Sequence, residues 1–277
     1  MECTYFFASL LQYLMIVLKN VSKTYGKTRV LTDVSFRVEP GEFVCIIGPS
    51  GAGKTTLVSL LIGAEQPTHG SVEIDGVDLK AVPPTAMQLF RRRIGVVFQD
   101  YKLLKNRTVA ENVAFPLEVC AIPDAVIRRR VPELLKRMEI ESRANAFPPE
   151  LSGGEKTRTA IARAIVHSPL ILLADEPTGN LDPHQSMEIM KLLKAIHAEG
   201  ATVILATHDA DLVDTVQMRV IRLEEGKVIR DSFGGYEHAK KHQPAEPSNA
   251  KHRIFKDAEG VSAGSSQKKV KITPIGS

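Results

Sequence analysis

The chain has few cysteines, little net charge and no apolar run long enough to cross a membrane. Its 277 residues hold three cysteines, Cys3, Cys45 and Cys120, odd in number and far apart. That excludes a disulfide framework and a zinc pattern, and it fits a reducing compartment. The formal net charge is +4 at pH 7, so the chain as a whole is no polyelectrolyte. There is no internal repeat. The apolar stretch 5–18 is broken by Ser9 and Gln12 and falls short of the roughly 20 residues a spanning helix needs. Glu2 stands where a secretory leader would be basic.

What is there is enough apolar residue, 43% of the chain, to bury a substantial core in one or two lobes. The clearest local pattern is Gly48, Pro49, Ser50, Gly51, Ala52, Gly53, Lys54 and Thr55, a complete G-x-x-x-x-G-K-[ST]. Residues 42–47 before it read as a buried strand, and 56–62 after it as a helix start. Strand, Gly-rich turn and helix is the context this pattern needs. Successive N–H groups can then point at one anion, with the helix dipole behind them. Lys54 would reach the β- and γ-phosphates and Thr55 would hold Mg²⁺. A Gly-rich turn without a ligand is the plainer reading, and the intact flanks argue against it.

A second apolar run, 170–174, ends in Asp175 and Glu176. A strand that delivers two carboxylates at its C-terminal end suits a site at a sheet edge. Asp175 would bind Mg²⁺, directly or through water, and Glu176 is placed to polarise an attacking water. Residues 202–207 form a third such run, ending at His208. Ser152, Gly153 and Gly154 precede a helix and could simply cap it; the same exposed N–H groups could also receive a phosphate.

Taken together, these motifs resemble those of the ABC ATPase family over about residues 15–232. Leu151 to Glu155 is similar to the family signature, Gln99 to its Q-loop, Asn180-Leu181-Asp182 to its D-loop and His208 to its switch histidine. Tyr25 stands where the family stacks an aromatic ring on adenine. The resemblance implies an α/β fold: a P-loop NTPase (RecA-like) core with an antiparallel β subdomain and an inserted α-helical signature lobe. It implies ATP hydrolysis by a homodimer. Each ATP would lie between Tyr25, the residues Gly48 to Thr56, Gln99 and Asp182 of one chain and Ser152, Gly153 and Gly154 of the other. Thr55, Gln99 and Asp175 would serve the metal, and Glu176, His208 and Lys54 the chemistry. One departure stands out: Lys156 and Thr157 replace glutamines that many members carry, which bears on how this helix start tunes ATP affinity.

The segment after Gln99 narrows the match. Val97 to Leu104, then Asn106-Arg107-Thr108-Val109 and Glu111-Asn112-Val113-Ala114, resemble the cell-division members of the family. This implies a membrane partner of the FtsX type, bound by a groove near Gln99 to Leu104, and control of cell-wall hydrolases from the cytoplasmic face of the membrane, with the chain peripheral. Tyr101, Leu103, Leu104, Val113, Phe115 and Leu117 could line that groove, or most of them could be core. The alternatives are an ATPase of the lipoprotein-release or macrolide type, and a soluble family member acting on nucleic acid or the ribosome. A single nucleotide domain, no coiled-coil insertion and no zinc pattern argue against the last.

Organisation follows. Residues 1–14 read as an extension, with Met15 beginning the domain cleanly; a short membrane-surface anchor is the rival. The domain spans 15–232, with an ATP-binding lobe from about 15–100 and 155–232 and a helical lobe from about 101–152. Within it, residues 125–138 carry apolar side chains near helical spacing, Arg128, Arg129 and Arg130 read as a solvated face, and Glu225-Gly226 reads as a hairpin turn. Residues 233–277, rich in Lys, His, Ser, Gly, Ala and Pro, read as a disordered, mildly basic tail, with weak attraction to anionic lipid or nucleic acid as the functional alternative.

Overall fold

A computed structural model of the chain describes residues 15–234. The extension read over residues 1–14 and the tail from residue 235 onward lie outside the described residues. Two sheets organise the rest. The smaller is antiparallel, in the order β2-β1-β4-β5, from β1 (Ile16–Tyr25), β2 (Thr28–Val38), β4 (His69–Ile74) and β5 (Val77–Asp78). The larger runs β10-β9-β3-β8-β7-β6, from β3 (Phe43–Ile47), β6 (Ile94–Val97), β7 (Ile171–Asp175), β8 (Thr202–Thr207), β9 (Arg219–Glu224) and β10 (Lys227–Phe233). Its five pairings are parallel except that of β10 with β9.

Strands β3, β7 and β8 are buried at every position, as central strands covered on both faces must be. Successive side chains still point opposite ways, and the core divides accordingly. Phe43, Cys45 and Ile47 join the apolar cluster on one face, and Val44 and Ile46 the cluster on the other. The second cluster holds helix α1 (Lys54–Leu61) and the apolar side of the antiparallel sheet. Helix α2 (Pro84–Arg91) leads from that sheet into β6.

The first cluster is shared by helices α3 (Val109–Val119), α4 (Asp124–Arg137), α5 (Gly153–Ile165), α6 (Pro183–Ala198) and α7 (Ala210–Val216). The middle helices thus share one core with a face of the central sheet. Val113 and Leu117 belong to that core and not to a surface groove, while Tyr101 and Leu103 are half-buried against it. Burial pushes the Cys45 thiol up to about 12, which leaves it an apolar core residue without thiolate chemistry.

The expected turn at Glu225-Gly226 joins β9 to β10, with φ of 47° and 73°. Two successive positive φ values give the turn a twist that matches the flanking strands. A Cβ on Gly226 would lie 2.2 Å from the Val30 carbonyl oxygen, so the tip seats on β2 only as glycine. Strand β10 ends at Phe233, paired with Arg219.

Candidate active site

Four neighbouring strands, in the order β3-β8-β7-β6, are parallel and end at the same edge of the sheet. Ile47 is in register with Thr207, Asp175 with Ala206, and Val97 with Ala174. The residues just beyond these ends are therefore neighbours in space. They are the Gly-rich loop after β3, His208 after β8, Glu176 after β7 and Gln99 after β6. One open cleft of about 290 Å³ is lined by Ser50, Gly51, Gly53, Lys54, Thr55, Thr56, Gln99, Glu176 and His208, with Val30 at its side. Ligand sites at the carboxyl ends of parallel strands follow from this topology.

The loop is shaped by its glycines. Gly53 has φ 102° and precedes α1 directly; a Cβ there would lie 2.6 Å from Leu31 Cδ2. Ala52 is buried, and its N–H donates to the Pro49 carbonyl at 3.1 Å. Lys54 is buried too. Its ammonium donates to the carbonyls of Gly48 at 2.7 Å and Pro49 at 3.2 Å, and its Nζ is 3.3 Å from Glu176 Oε1. The other oxygen of Glu176, Oε2, is 2.7 Å from His208 Nδ1. Lys54, Glu176 and His208 thus form one chain of contacts through a carboxylate that is 8% exposed. Glu176 sits in the left-handed region at φ 49°, its N–H donating to the Ala206 carbonyl at 2.8 Å. A non-glycine residue held there costs about 1–3 kcal/mol, and here it aims a carboxylate across the strand ends.

Asp175 is buried beside it, and its Oδ1 lacks a hydrogen-bond partner within the protein. Burial pushes its carboxyl above the ordinary range; the Thr55 hydroxyl and Lys54 pull it down, and the charge of Glu176 adds to the rise. An orphaned carboxylate oxygen next to a hydroxyl fits a hard divalent cation. Among the described residues no group of three or more His, Cys, Asp and Glu could hold a metal unaided. One buried carboxylate with an unpartnered oxygen beside the Thr55 hydroxyl fits Mg²⁺, which usually takes one or two carboxylates plus substrate phosphates.

Other candidate residues lie apart from this cleft. Ser152, Gly154 and Glu155 line a separate depression with His184, Gln185 and Arg158. Ser152 caps α5, its hydroxyl accepting from the Glu155 N–H at 3.3 Å while Glu155 Oε2 accepts from the Ser152 N–H at 2.8 Å. That backbone bond, with Arg143 beside it, holds the Glu155 carboxyl below its usual range. Asp182 caps α6, accepting from the Gln185 N–H at 2.8 Å. Tyr25 ends β1 with 43% of its surface exposed.

Three further residues bear on these elements. Arg163 of α5 donates to the carbonyls of Tyr101 and Lys102 at 2.7 Å each, gripping two residues with positive φ just past Gln99. Thr157 is fully buried, with its hydroxyl 3.1 Å from the Gly153 carbonyl and 3.3 Å from that of Pro177. The departure from glutamine at 157 therefore sits between the signature helix and the segment after Glu176, while Lys156 stays half-buried. Lys23 lies under Tyr25. Of the three, Thr157 had a sequence signal in its departure from glutamine and Lys23 in sharing a strand face with Tyr25, two residues on; Arg163 had none.

Comparison with known proteins gives the family. Residues 31–179 match the family described as ABC transporter. The cell division ATP-binding protein FtsE of Bacillus subtilis (strain 168) is 46% identical over 222 residues, covering 80% of this chain and 97% of that protein. The methionine import ATP-binding protein MetN of Caulobacter vibrioides is 42% identical over 249 residues, covering 89% of this chain and 74% of that one. Among solved structures, the dimeric ATP-binding cassette MJ0796 in a post-hydrolysis state, bound to ADP and Pi, aligns with a TM-score of 0.73 at 39% identity. It covers 79% of this chain and 98% of that one. The chain therefore belongs to the ABC transporter family of ATP-binding cassettes and is an ATP hydrolase.

Proposed function

We propose that the chain is the Mg²⁺-dependent ATPase subunit of a cell-division membrane complex and works as a homodimer. The observation that carries the division reading is similarity to FtsE proteins at 46–47% identity over 96–97% of their length, in three organisms. Dimeric relatives support the pairing. So does the placement of Ser152, Gly153 and Gly154 outside the cleft, since a two-fold axis would bring those of one protomer to the other's ATP.

In this reading, Tyr25 takes the adenine, and the N–H groups of the loop from Gly48 to Thr56 and Lys54 take the phosphates. Thr55, Asp175 and Gln99 would hold Mg²⁺, which would neutralise phosphate charge. Glu176, whose carboxylate Lys54 and His208 hold before ATP arrives, orients and deprotonates the water. ATP in the cleft competes with the Gly48 and Pro49 carbonyls for the Lys54 ammonium, freeing Glu176 from part of its pairing. His208 turns its ring toward the γ-phosphate. Asp182 reaches the shared interface from the cap of α6.

No helix of the described residues is long and apolar enough to cross a membrane. Membrane placement then comes through an FtsX-type integral protein that docks near Gln99 to Leu104, at the cytoplasmic face. Closure of the dimer would pass through that partner to cell-wall hydrolases. The likeness to methionine import proteins favours a second reading, a transport ATPase.

Co-purification separates the two. The chain should retain a four-span membrane protein with a small extracellular domain, encoded in a division context. Its depletion should block division and leave solute uptake unchanged. Retention of a solute permease instead, with loss of uptake on depletion, would overturn the division reading.

A further inference from the structure

Lys23 is 9% exposed on β1. A desolvated ammonium is costly unless its donors are used, and two acceptors use them here: Glu65 Oε2 at 2.6 Å and the Gln66 carbonyl at 2.8 Å. The same nitrogen lies 4.7 Å from the centroid of the Tyr25 ring. The ring is thus held from one face while 43% of the residue remains exposed. Residues 65 and 66 follow α1, the helix that begins at Lys54. Two further bonds stitch the same loop to β1, from the Thr24 N–H to Thr68 Oγ1 at 3.0 Å and from the Thr68 N–H to the Ser22 carbonyl at 2.8 Å.

From this geometry we infer that Lys23 is a positioning residue for the base. It fixes the Tyr25 ring against the far end of the phosphate-binding helix, so that base platform and phosphate cradle move as one body. The inference rests on the reading of Tyr25 as the adenine platform. An ammonium behind the ring also draws its π density inward. The outer face becomes less negative and better suited to an electron-rich purine. A plain ion pair between Lys23 and Glu65 would stabilise the fold without distinguishing base from phosphate.

The test compares ATP with inorganic tripolyphosphate, both with Mg²⁺, by titration calorimetry on the full chain. Lys23→Met and Tyr25→Ala should each weaken ATP binding by about ten-fold, the scale of one desolvated cation–π or stacking contact. Tripolyphosphate binding should hold within about two-fold, and Lys23→Arg should restore ATP binding. Glu65→Gln, at a more exposed position, should give the same base-selective loss in smaller measure. Combining Lys23→Met with Tyr25→Ala should weaken ATP no further than Tyr25→Ala alone.

If Tyr25→Ala weakens ATP binding but Lys23→Met does not, the role of Lys23 falls and the adenine reading stands. Equal loss of ATP and tripolyphosphate in Lys23→Met and Glu65→Gln also overturns it, as a purely structural effect. If Tyr25→Ala leaves ATP binding unchanged, the adenine reading itself fails.

Discussion

The strand-end cleft and the start of the signature helix are held in opposite ways. In the cleft, demand is left unmet. Asp175 keeps an unpartnered oxygen, Glu176 is strained, and Lys54 rests on loop carbonyls. At the helix start, Ser152 and Glu155 satisfy each other through a reciprocal cap. The first region is built for a ligand that brings charge to it. The second is complete in one protomer, and in the proposed dimer it would meet a phosphate only when an ATP is carried to it. In the proposed dimer, the contrast would give chemistry to the first region and assembly to the second.

The sharpest way to break that contrast is Glu176→Gln. The variant keeps the volume and a contact to His208 but cannot take a proton. Turnover should fall by about 10²–10⁴-fold, the usual weight of a general base. ATP should still bind, and the protein should accumulate as a closed dimer by size-exclusion chromatography with ATP. Hydrolysis near the parent rate would remove Glu176 from the chemistry.

Next in size is Ser152→Ala. One hydrogen bond to a charged group is worth about 1.5–3 kcal/mol, so turnover should drop by roughly 10–150-fold. ATP binding measured on dilute monomer should stay at the parent value. Loss of monomer binding would place Ser152 in its own protomer's cleft and erase the distinction between the two regions.

Much of this was legible in the sequence because each inner strand is a short apolar run ending in a chemically distinct residue. Parallel strands with a common register then bring those ends together without further information. Periodicity could not say which face each residue serves, because strands covered on both sides are apolar throughout. For the same reason Val113 and Leu117 stayed ambiguous between groove and core until their burial was seen. Arg163 was invisible for a different reason. Its partners are backbone carbonyls at Tyr101 and Lys102, two residues whose identity gives no warning of positive φ. Thr157 looked like a change in the signature helix alone, whereas its hydroxyl also approaches Pro177 on another segment.

The smallest effect probes the unmet demand directly. In the folded chain, burial first of all raises the Asp175 carboxyl above its ordinary 3.8. A carboxyl raised on folding contributes favourably below its unfolded pKa. That contribution is lost as pH rises through the folded value, and above it the buried charge remains a constant cost. Asp175→Asn removes the charge and keeps the shape. Without nucleotide, the variant should melt higher than the parent at pH 7–8, by roughly 2–4 °C for each kcal/mol recovered in a domain of this size. The gap should close as pH falls through the acid range, and titrating groups that do not interact with Asp175 cancel in the difference. Saturating Mg²⁺ and ATP should reverse the order, because only the parent gains the full stabilisation of bound ligand. A variant less stable than the parent at neutral pH would mean that Asp175 is already satisfied inside the protein. The two regions would then differ in position alone.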